Sequence, residues 1–238
     1  MPPSRSALCI QDYKYPIKNL SHFTIGEHCI NWEKFGSLIL QESAASLTKL
    51  QMHATSRFTP TSDLSITNQL PKLTSLSLHD FDSNILCSIL NQCCSSIKYL
   101  DIHGINIQPQ AIPEMPRLEI INMSDVSWTQ IALLAHKMPN VKEIEIGVRD
   151  PVAHSTPDRG GVVLSQLTVV KIWDKNHCAW IKFMWYYLFD VAPNLKYVHC
   201  RGAECIEQCR RLCQNFRKYN IIVCDLESDR TYTIDRFY

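Results

Sequence analysis

Histidines and cysteines are the residue types in this 238-residue chain whose spacing is best suited to chemistry. His53, His79 and His103 recur at intervals of 26 and 24 residues, and Asp101 lies two positions before the last of them. Imidazole titrates near neutral pH and is a common metal ligand. If repeated strands stack these residues, they form either a histidine ladder that binds a metal weakly or a polar ridge that pairs with backbone groups and water. We favour the ridge, and we predict no bound metal or cofactor.

Eleven cysteines are spread along the chain, and Cys200, Cys205, Cys209 and Cys213 lie close together in sequence. A structural zinc site needs four thiolate or imidazole ligands that converge tetrahedrally. The last three fall four apart on one face of a predicted helix, and at about 1.5 Å per residue they span about 12 Å, so they cannot all reach one ion. We therefore interpret these cysteines as small apolar side chains that pack between neighbouring elements.

Sequence motifs of the common enzyme classes are absent from the chain. It has no Gly-rich phosphate loop, no nucleophile elbow and no metalloprotease helix signature. Glu143 and Glu145 are paired acids, but alternate residues of a strand point to the same side. Two acids on one exposed side suit recognition of a basic partner better than acid–base catalysis. The sequence therefore predicts a non-enzymatic protein.

A short sequence pattern with apolar residues at its first, fourth and sixth places recurs along the chain, and we call each copy a phrase. The elements that these phrases form must position the histidines, cysteines and acids. Weaker copies begin at positions 20, 47, 167, 195 and 219, so the phrases recur every 21 to 28 residues, and a period of this length indicates a repeat protein. The four regular copies are Leu73-Leu76-Leu78, Ile97-Leu100-Ile102, Leu118-Ile121-Met123 and Val141-Ile144-Ile146.

Each phrase ends in an apolar–polar–apolar alternation, which predicts a strand with one buried face. Stacked strands bury a continuous core, so the predicted fold is an α/β solenoid of about nine repeats. A parallel sheet should form its concave side, and helices and irregular returns its convex side. The predicted segments are an irregular lead-in or cap at residues 1–16, the repeat domain at 17–225 and a polar tail at 226–238.

Helical periodicity is present in five of the returns. They are "INWEKFGSLILQESAA", "SNILCSILNQCC", "SWTQIALLAHKM", a longer stretch from about His177 to Val191, and "GAECIEQCRRLCQNFRKY". Pro109, Pro113 and Pro116 restrict the fourth return to an irregular or 3₁₀ conformation. Residues 147–163 combine Pro and Gly with no helical period, which predicts an exposed loop.

The tags "LPKLTSLSLHDF", "SSIKYLDIHGI", "MPNVKEIEIG" and "APNLKYVHC" resemble the leucine-rich repeat superfamily, in the irregular form attached to F-box proteins. The resemblance covers about residues 17–225. It implies a protein-interaction scaffold, such as the substrate-recognition part of an F-box type ubiquitin ligase, with ligase adaptor subunits as further partners. No F-box precedes the repeats, so the chain resembles a repeat-only relative or a piece of a longer protein. The alternative is a structural subunit of a larger assembly.

The outward places of the strands are the predicted contact surface for another protein. They combine polar and aromatic side chains, as interfaces do. The candidate partner-binding residues are Gln51, His53, Ser77, His79, Tyr99, Asp101, His103, Asn122, Glu143, Glu145, Lys171, Trp173, Tyr197, His199 and Arg201.

Charge and hydropathy exclude several classes of partner. The 24 basic and 23 acidic residues leave the net charge near zero, which argues against a broad surface for nucleic acid or anionic membranes. The chain has no apolar signal-peptide region at its start and no apolar stretch long enough to span a membrane. We therefore predict a cytoplasmic or nuclear protein without nucleic-acid or membrane partners.

Overall fold

Nine parallel strands form one sheet in which each strand pairs only with its neighbours in sequence. The computed structural model describes residues 19–25, 40–54, 69–105, 107–124, 126, 128–147, 163–173, 188, 191–201, 203–215, 221–225 and 231–232. The strands in this part of the chain are β1 (His22–Ile25), β2 (Lys49–His53), β3 (Ser75–His79), β4 (Tyr99–His103), β5 (Ile120–Ser124), β6 (Glu143–Gly147), β7 (Val169–Trp173), β8 (Tyr197–Cys200) and β9 (Ile222–Asp225). A short strand, β10 (Thr231–Tyr232), pairs antiparallel with β9. The predicted parallel α/β sheet of stacked units is therefore confirmed.

The apolar places of the phrases form the core. In register, Leu50, Leu76, Leu100, Ile121 and Ile144 lie side by side on β2 to β6, and none is more than 1% exposed. The row continues through Val170 and Val198 on β7 and β8. One strand cannot bury its apolar side alone, so each unit depends on the next one for its burial.

Three α-helices and one 3₁₀ helix among the described residues confirm four of the predicted returns. They are α1 (Ser83–Cys93), a 3₁₀ helix (Pro109–Ala111), α2 (Trp128–Ala135) and α3 (Ala203–Asn215). The Asp82 carboxylate accepts a hydrogen bond from the Asn84 N–H at 2.7 Å and caps the first turn of α1. The residues that face the sheet are buried, namely Ile85, Leu86, Ile89 and Leu90 of α1 and Ile131, Leu134 and Ala135 of α2.

Polar groups where the chain enters each strand tie one unit to the next. The Thr74 carbonyl accepts hydrogen bonds from the N–H groups of Lys98 and Tyr99, both at 2.9 Å, and the same shared carbonyl recurs from unit to unit. The Thr74 hydroxyl in turn donates to the Thr48 carbonyl at 3.2 Å. Because buried backbone groups need partners, this repeated pairing lets the units stack closely.

One prediction is wrong, in the phrase that begins at position 219. Its fourth place is Ile222, which the pattern puts on the buried side. The sheet instead pairs Val223 with Val198, so the inward residue is Val223. Val223 is fully buried, whereas Ile222 is half-buried. Three consecutive apolar residues, Ile221 to Val223, show no alternation that would select a face. Packing against β8 makes the selection, and a shift of one residue exchanges the two faces.

Several predicted segments lie outside the described residues. They are the lead-in at 1–16, most of the loop at 147–163, and most of the helix from His177 to Val191. Leu188 and Val191 of that helix are described, and both are helical and buried. In the tail at 226–238, residues 231–232 form β10. No helix in the described part of the chain is long and apolar enough to cross a membrane.

Candidate functional site

The outward side chains of the sheet form ordered columns, and we call this surface the open face. The central column runs in register through Gln51, Ser77, Asp101, Asn122, Glu145, Lys171 and His199. A second column carries Tyr99, Ile120, Glu143, Val169 and Tyr197 at the strand starts. At the strand ends, His53, His79 and His103 are aligned, as are Ser124, Gly147 and Trp173. The predicted columns are therefore present.

Four candidate residues differ from the rest of these columns. Ser77 and Asp101 lie in the central column but are buried, being 5% and 9% exposed. They therefore act on neighbouring side chains and offer little surface to a partner. Arg201 is half-buried just beyond the end of β8. Trp173 ends β7, and its side chain lies outside the described residues.

The three histidines stack as a ladder along the ends of β2, β3 and β4. Their ring centroids are 4.0 Å apart for His53 and His79 and 4.4 Å apart for His79 and His103. Parallel strands are about 4.8 Å apart, so aligned rings come into contact without distortion of the backbone. The His79 and His103 carbonyls also accept the N–H groups of Ala54 and Asp80, which fixes the strand ends beneath the rings.

Asp101 lies beneath two of these rings and interacts with both. His79 Nε2 is 3.2 Å from Asp101 Oδ2, and His103 Nε2 is 2.7 Å from Asp101 Oδ1. The Ser77 hydroxyl donates to Asp101 Oδ2 at 2.7 Å. The ring nitrogen of His79 is also 3.1 Å from Ser77 Oγ, so this nitrogen carries its proton and donates to both oxygens. These imidazoles pair with a buried carboxylate, whereas the sequence predicted backbone or water partners.

The environment of Asp101 favours its charged form. Burial raises its pKa, but the contacts with His103, Ser77 and His79 and the charge of His103 outweigh burial and lower the pKa from 3.8 to about 2. A carboxylate that accepts several hydrogen bonds is stabilised in this way. Asp101 is therefore an anion at neutral pH, held under a half-exposed pair of imidazoles.

His53 belongs to the ladder but has a different partner. Its Nε2 is 3.0 Å from the side-chain nitrogen of Gln51 on the same strand. The amide nitrogen is a donor, so His53 Nε2 must be the acceptor and the ring is neutral in this arrangement. The ladder thus contains two imidazoles that face Asp101 and one that faces an amide.

An acidic patch occupies the open face of β4 to β6, next to the histidines. It comprises Tyr99, Asn122, Glu143 and Glu145 and is bordered by Lys171 on β7. Lys171 Nζ is 2.5 Å from Glu143 Oε1 and 4.0 Å from Glu145 Oε2. Burial and the nearby acids raise the pKa of Tyr99, while its hydrogen bond with Asn122 opposes the shift. The phenol therefore lies within the field of several carboxylates.

His199 lies on the far side of Lys171 in the same column. Burial lowers its pKa, Lys171 lowers it further, and Glu143 acts in the opposite direction. This imidazole is therefore biased towards its neutral form, and it contributes no positive charge beyond that of Lys171. The border of the acidic patch is consequently a single lysine in this column.

Three of the cysteines that lie close together in sequence converge in a way that the sequence did not predict. Cys200 on β8 meets Cys205 and Cys209 of α3, and the three sulfur atoms lie within 4.8 Å of one another. The Sγ atoms of Cys200 and Cys209 are 3.0 Å apart. Hydrogen bonds with Cys205 and Cys209, together with burial, raise the pKa of the Cys200 thiol. Cys205 and Cys209 lie on α3, and Cys200, at the inward sixth place of the eighth phrase, supplies the third sulfur from the strand.

A second missed feature is a row of charges where the chain enters β4, β5 and β6. Glu119 Oε2 accepts a hydrogen bond from Lys142 at 2.8 Å, and its Oε1 is 3.8 Å from Lys98. These residues line an open cleft of about 390 Å³ at the edge of the sheet. Lys98, Glu119 and Lys142 each lie just before a strand in consecutive units, and this spacing could have predicted the row from the sequence. Because Glu119 already pairs with both lysines, the row stabilises stacking of units.

Comparisons with known proteins assign neither a family nor a function to this arrangement of residues. No protein-family model matches the chain, and no curated protein matches it.

Proposed function

We propose that this protein is a non-enzymatic interaction scaffold of the leucine-rich repeat type, and that its open face binds a basic segment of another protein. The observation that carries this proposal is the acidic patch on β4 to β6. A second, more specific role is substrate recognition in an F-box type ubiquitin ligase. This role rests on the sequence resemblance alone.

The charge of the patch is local and therefore informative. At the outward places of β4, β5 and β6, Glu143 and Glu145 are the accessible acids, Asp101 lies buried beside them, and no lysine or arginine is present in this described segment. The net charge of the whole chain is +1, so the patch does not reflect an acidic composition. Local charge of one sign favours a partner of the opposite sign by steering and by pairing.

Tyr99 supplies an anchor within this patch. Its side chain is half-buried and lies close to Asp101, Glu143 and Glu145, which act on its pKa. A tyrosine ring next to carboxylates suits an arginine or lysine, because the cation gains both ring and charge interactions. Tyrosine is also among the residues that contribute most to binding at interfaces.

Rigid presentation also favours binding by this face. The patch residues lie on regular strands whose inner neighbours Leu100, Ile121 and Ile144 are fully buried. Side chains on such a frame lose little conformational entropy when a partner docks, which leaves more of the interaction energy for affinity.

A displayed peptide library selected on the full chain tests the proposal. We expect the selected peptides to be enriched in arginine and lysine. The double variant Glu143→Lys/Glu145→Lys should weaken their binding about tenfold or more, since reversing two rim charges replaces attraction by repulsion. Affinity is measured by titration calorimetry, and the melting temperature is measured in parallel to confirm folding.

Glu207→Lys is the matched control, because Glu207 is an exposed acid on α3 and pairs with Arg211 at 3.0 Å, away from the open face. This change should leave peptide affinity within about twofold. Selection of acidic or uncharged peptides, or unchanged affinity in the double variant, would show that the acidic patch is not the binding surface.

Purification from cells separates the proposed role from the alternative of a structural subunit. Adaptor and cullin subunits that copurify with the chain would support the ligase role. One stable stoichiometric complex without them would favour the structural subunit. In that case, the acidic patch should be protected from chemical modification of carboxylates within the complex.

A further inference from the structure

Two imidazole nitrogens and a carboxylate converge at the ends of β3 and β4. The ligand atoms of His79, Asp101 and His103 all lie within 4.8 Å of one another. Contrary to the prediction of no bound metal made from the sequence, we propose that these three residues form a binding site for a divalent transition-metal ion, with zinc as the test ion. The site lies beside the acidic patch and does not depend on the proposed binding of a basic partner.

The donor set matches the chemistry of such ions. Imidazole nitrogen suits zinc, copper, iron and nickel, and two histidines with one carboxylate form a recurrent ligand set that leaves positions open. Zinc binds nitrogen and carboxylate oxygen at about 2.0–2.2 Å, so neighbouring ligand atoms are about 3.3 Å apart in a tetrahedron. His79 Nε2 is 3.2 Å from Asp101 Oδ2 and His103 Nε2 is 2.7 Å from Asp101 Oδ1, so these donor atoms are near that separation. Binding moves them to metal–ligand geometry and displaces the proton that His79 Nε2 carries.

Asp101 carries a second, independent indication of a ligand. Its Oδ1 atom is buried, and no hydrogen bond of acceptable geometry reaches it from the described residues, although His103 Nε2 is 2.7 Å away. A buried carboxylate oxygen that lacks a well-aligned donor is costly, because it has lost its water, and the nearby His103 ring offsets only part of this cost. A metal ion held between Oδ1 and the imidazoles would remove that cost.

The surroundings hold the ligands in place before any ion binds. Ser77 donates to Asp101 Oδ2, which leaves Oδ1 for the ion. Such outer hydrogen bonds orient metal-binding carboxylates and often change affinity by about 10- to 100-fold when removed.

The site is accessible from the open face. The side chains of His79 and His103 are 24% and 34% exposed, so an ion can enter and keep water in its remaining positions. The cysteine cluster is the competing site. Its three sulfur atoms are also near one another, but Cys200, Cys205 and Cys209 are at most 3% exposed. The Cys200 thiol, whose pKa is raised, retains its proton, and buried thiols pack well as apolar groups.

Zinc titration of the purified full chain by calorimetry tests the site at neutral pH. One equivalent of zinc should bind and raise the melting temperature. His79→Gln and His103→Gln should each weaken binding at least tenfold, and Ser77→Ala should weaken it less. His53→Gln is the matched control, because it removes a ladder imidazole that faces Gln51, and it should change affinity by no more than about twofold.

Cobalt substitution identifies the ligands independently of affinity. Visible bands without thiolate-to-cobalt charge transfer would support nitrogen and oxygen ligands. Thiolate charge transfer, together with loss of binding in Cys209→Ser and retention in His79→Gln, would place the ion at the cysteines and overturn the proposal. Absence of binding in the wild-type chain, or equal losses in His53→Gln and His79→Gln, would overturn it as well.

Discussion

Replacing Leu100 by alanine is expected to lower the free energy of unfolding by about 3 kcal/mol, the largest effect that we predict for a single substitution. Leu100 is 1% exposed and lies in register between Leu76 on β3 and Ile121 on β5. Truncation removes buried methyl groups and leaves a cavity that neighbouring units fill only partly, and such changes cost about 2–5 kcal/mol. Chemical denaturation followed by circular dichroism measures the loss.

The thermal consequence follows from the size of the chain. For chains of about this length, each kcal/mol corresponds to a shift of about 2–4 °C, so the melting temperature should fall by roughly 6–12 °C. Ile120→Ala is the matched control, because Ile120 lies on the neighbouring strand but is half-buried on the open face. Its loss should be below about 1 kcal/mol. Equal losses in the two variants would contradict the assignment of buried and open faces.

Replacing Asp101 by asparagine is the second prediction with a large effect. It is expected to lower the free energy of unfolding by about 2 kcal/mol at pH 7. The amide keeps the shape of the side chain but loses the charge that pairs with His79 and His103 and accepts the Ser77 hydroxyl. Hydrogen bonds to charged groups in such settings contribute about 1.5–3 kcal/mol. Urea denaturation at pH 7 measures this loss, and Glu145→Gln in the same column should lose under about 1 kcal/mol.

The loss of stability caused by Asp101→Asn should depend on pH. The folded-state pKa of Asp101 is lowered from 3.8 to about 2, so its contribution is fully present above pH 4 and is lost as the pH falls through 2. A shift of this size corresponds to a contribution on the order of 2 kcal/mol. The difference between wild type and Asp101→Asn should therefore shrink between pH 4 and pH 2. A difference that stays constant below pH 4 would contradict the assignment. His79→Gln and His103→Gln measured in parallel separate the histidine contribution.

The repeat period was predictable because it depends on local chemistry. Residues such as Leu76, Leu78 and Leu100 alternate with polar ones, and that alternation selects the buried face without reference to the rest of the chain. The spacing of the phrases then determines which outward residues become neighbours, and this placed His53, His79 and His103 in one column. The exception is β9, where Ile221 to Val223 lack alternation.

The histidine site was predictable only in part. Sequence spacing brought the three imidazoles together and placed Asp101 in the adjoining column. The spacing contained no information on burial. Ser77 and Asp101 are both buried beneath the rings. Burial of a polar residue depends on the size and direction of its neighbours, which come from units 22 to 26 residues away.

The sequence by itself determined the parallel sheet of stacked units, the strand positions and the columns of the open face, because these follow from alternation and period. Tertiary structure alone decided three things. It paired Asp101 with His79 and His103, it brought Cys200 to Cys205 and Cys209, and it chose the inward face of β9. Each of these depends on the distance between side chains in different elements, and no local pattern specifies that distance.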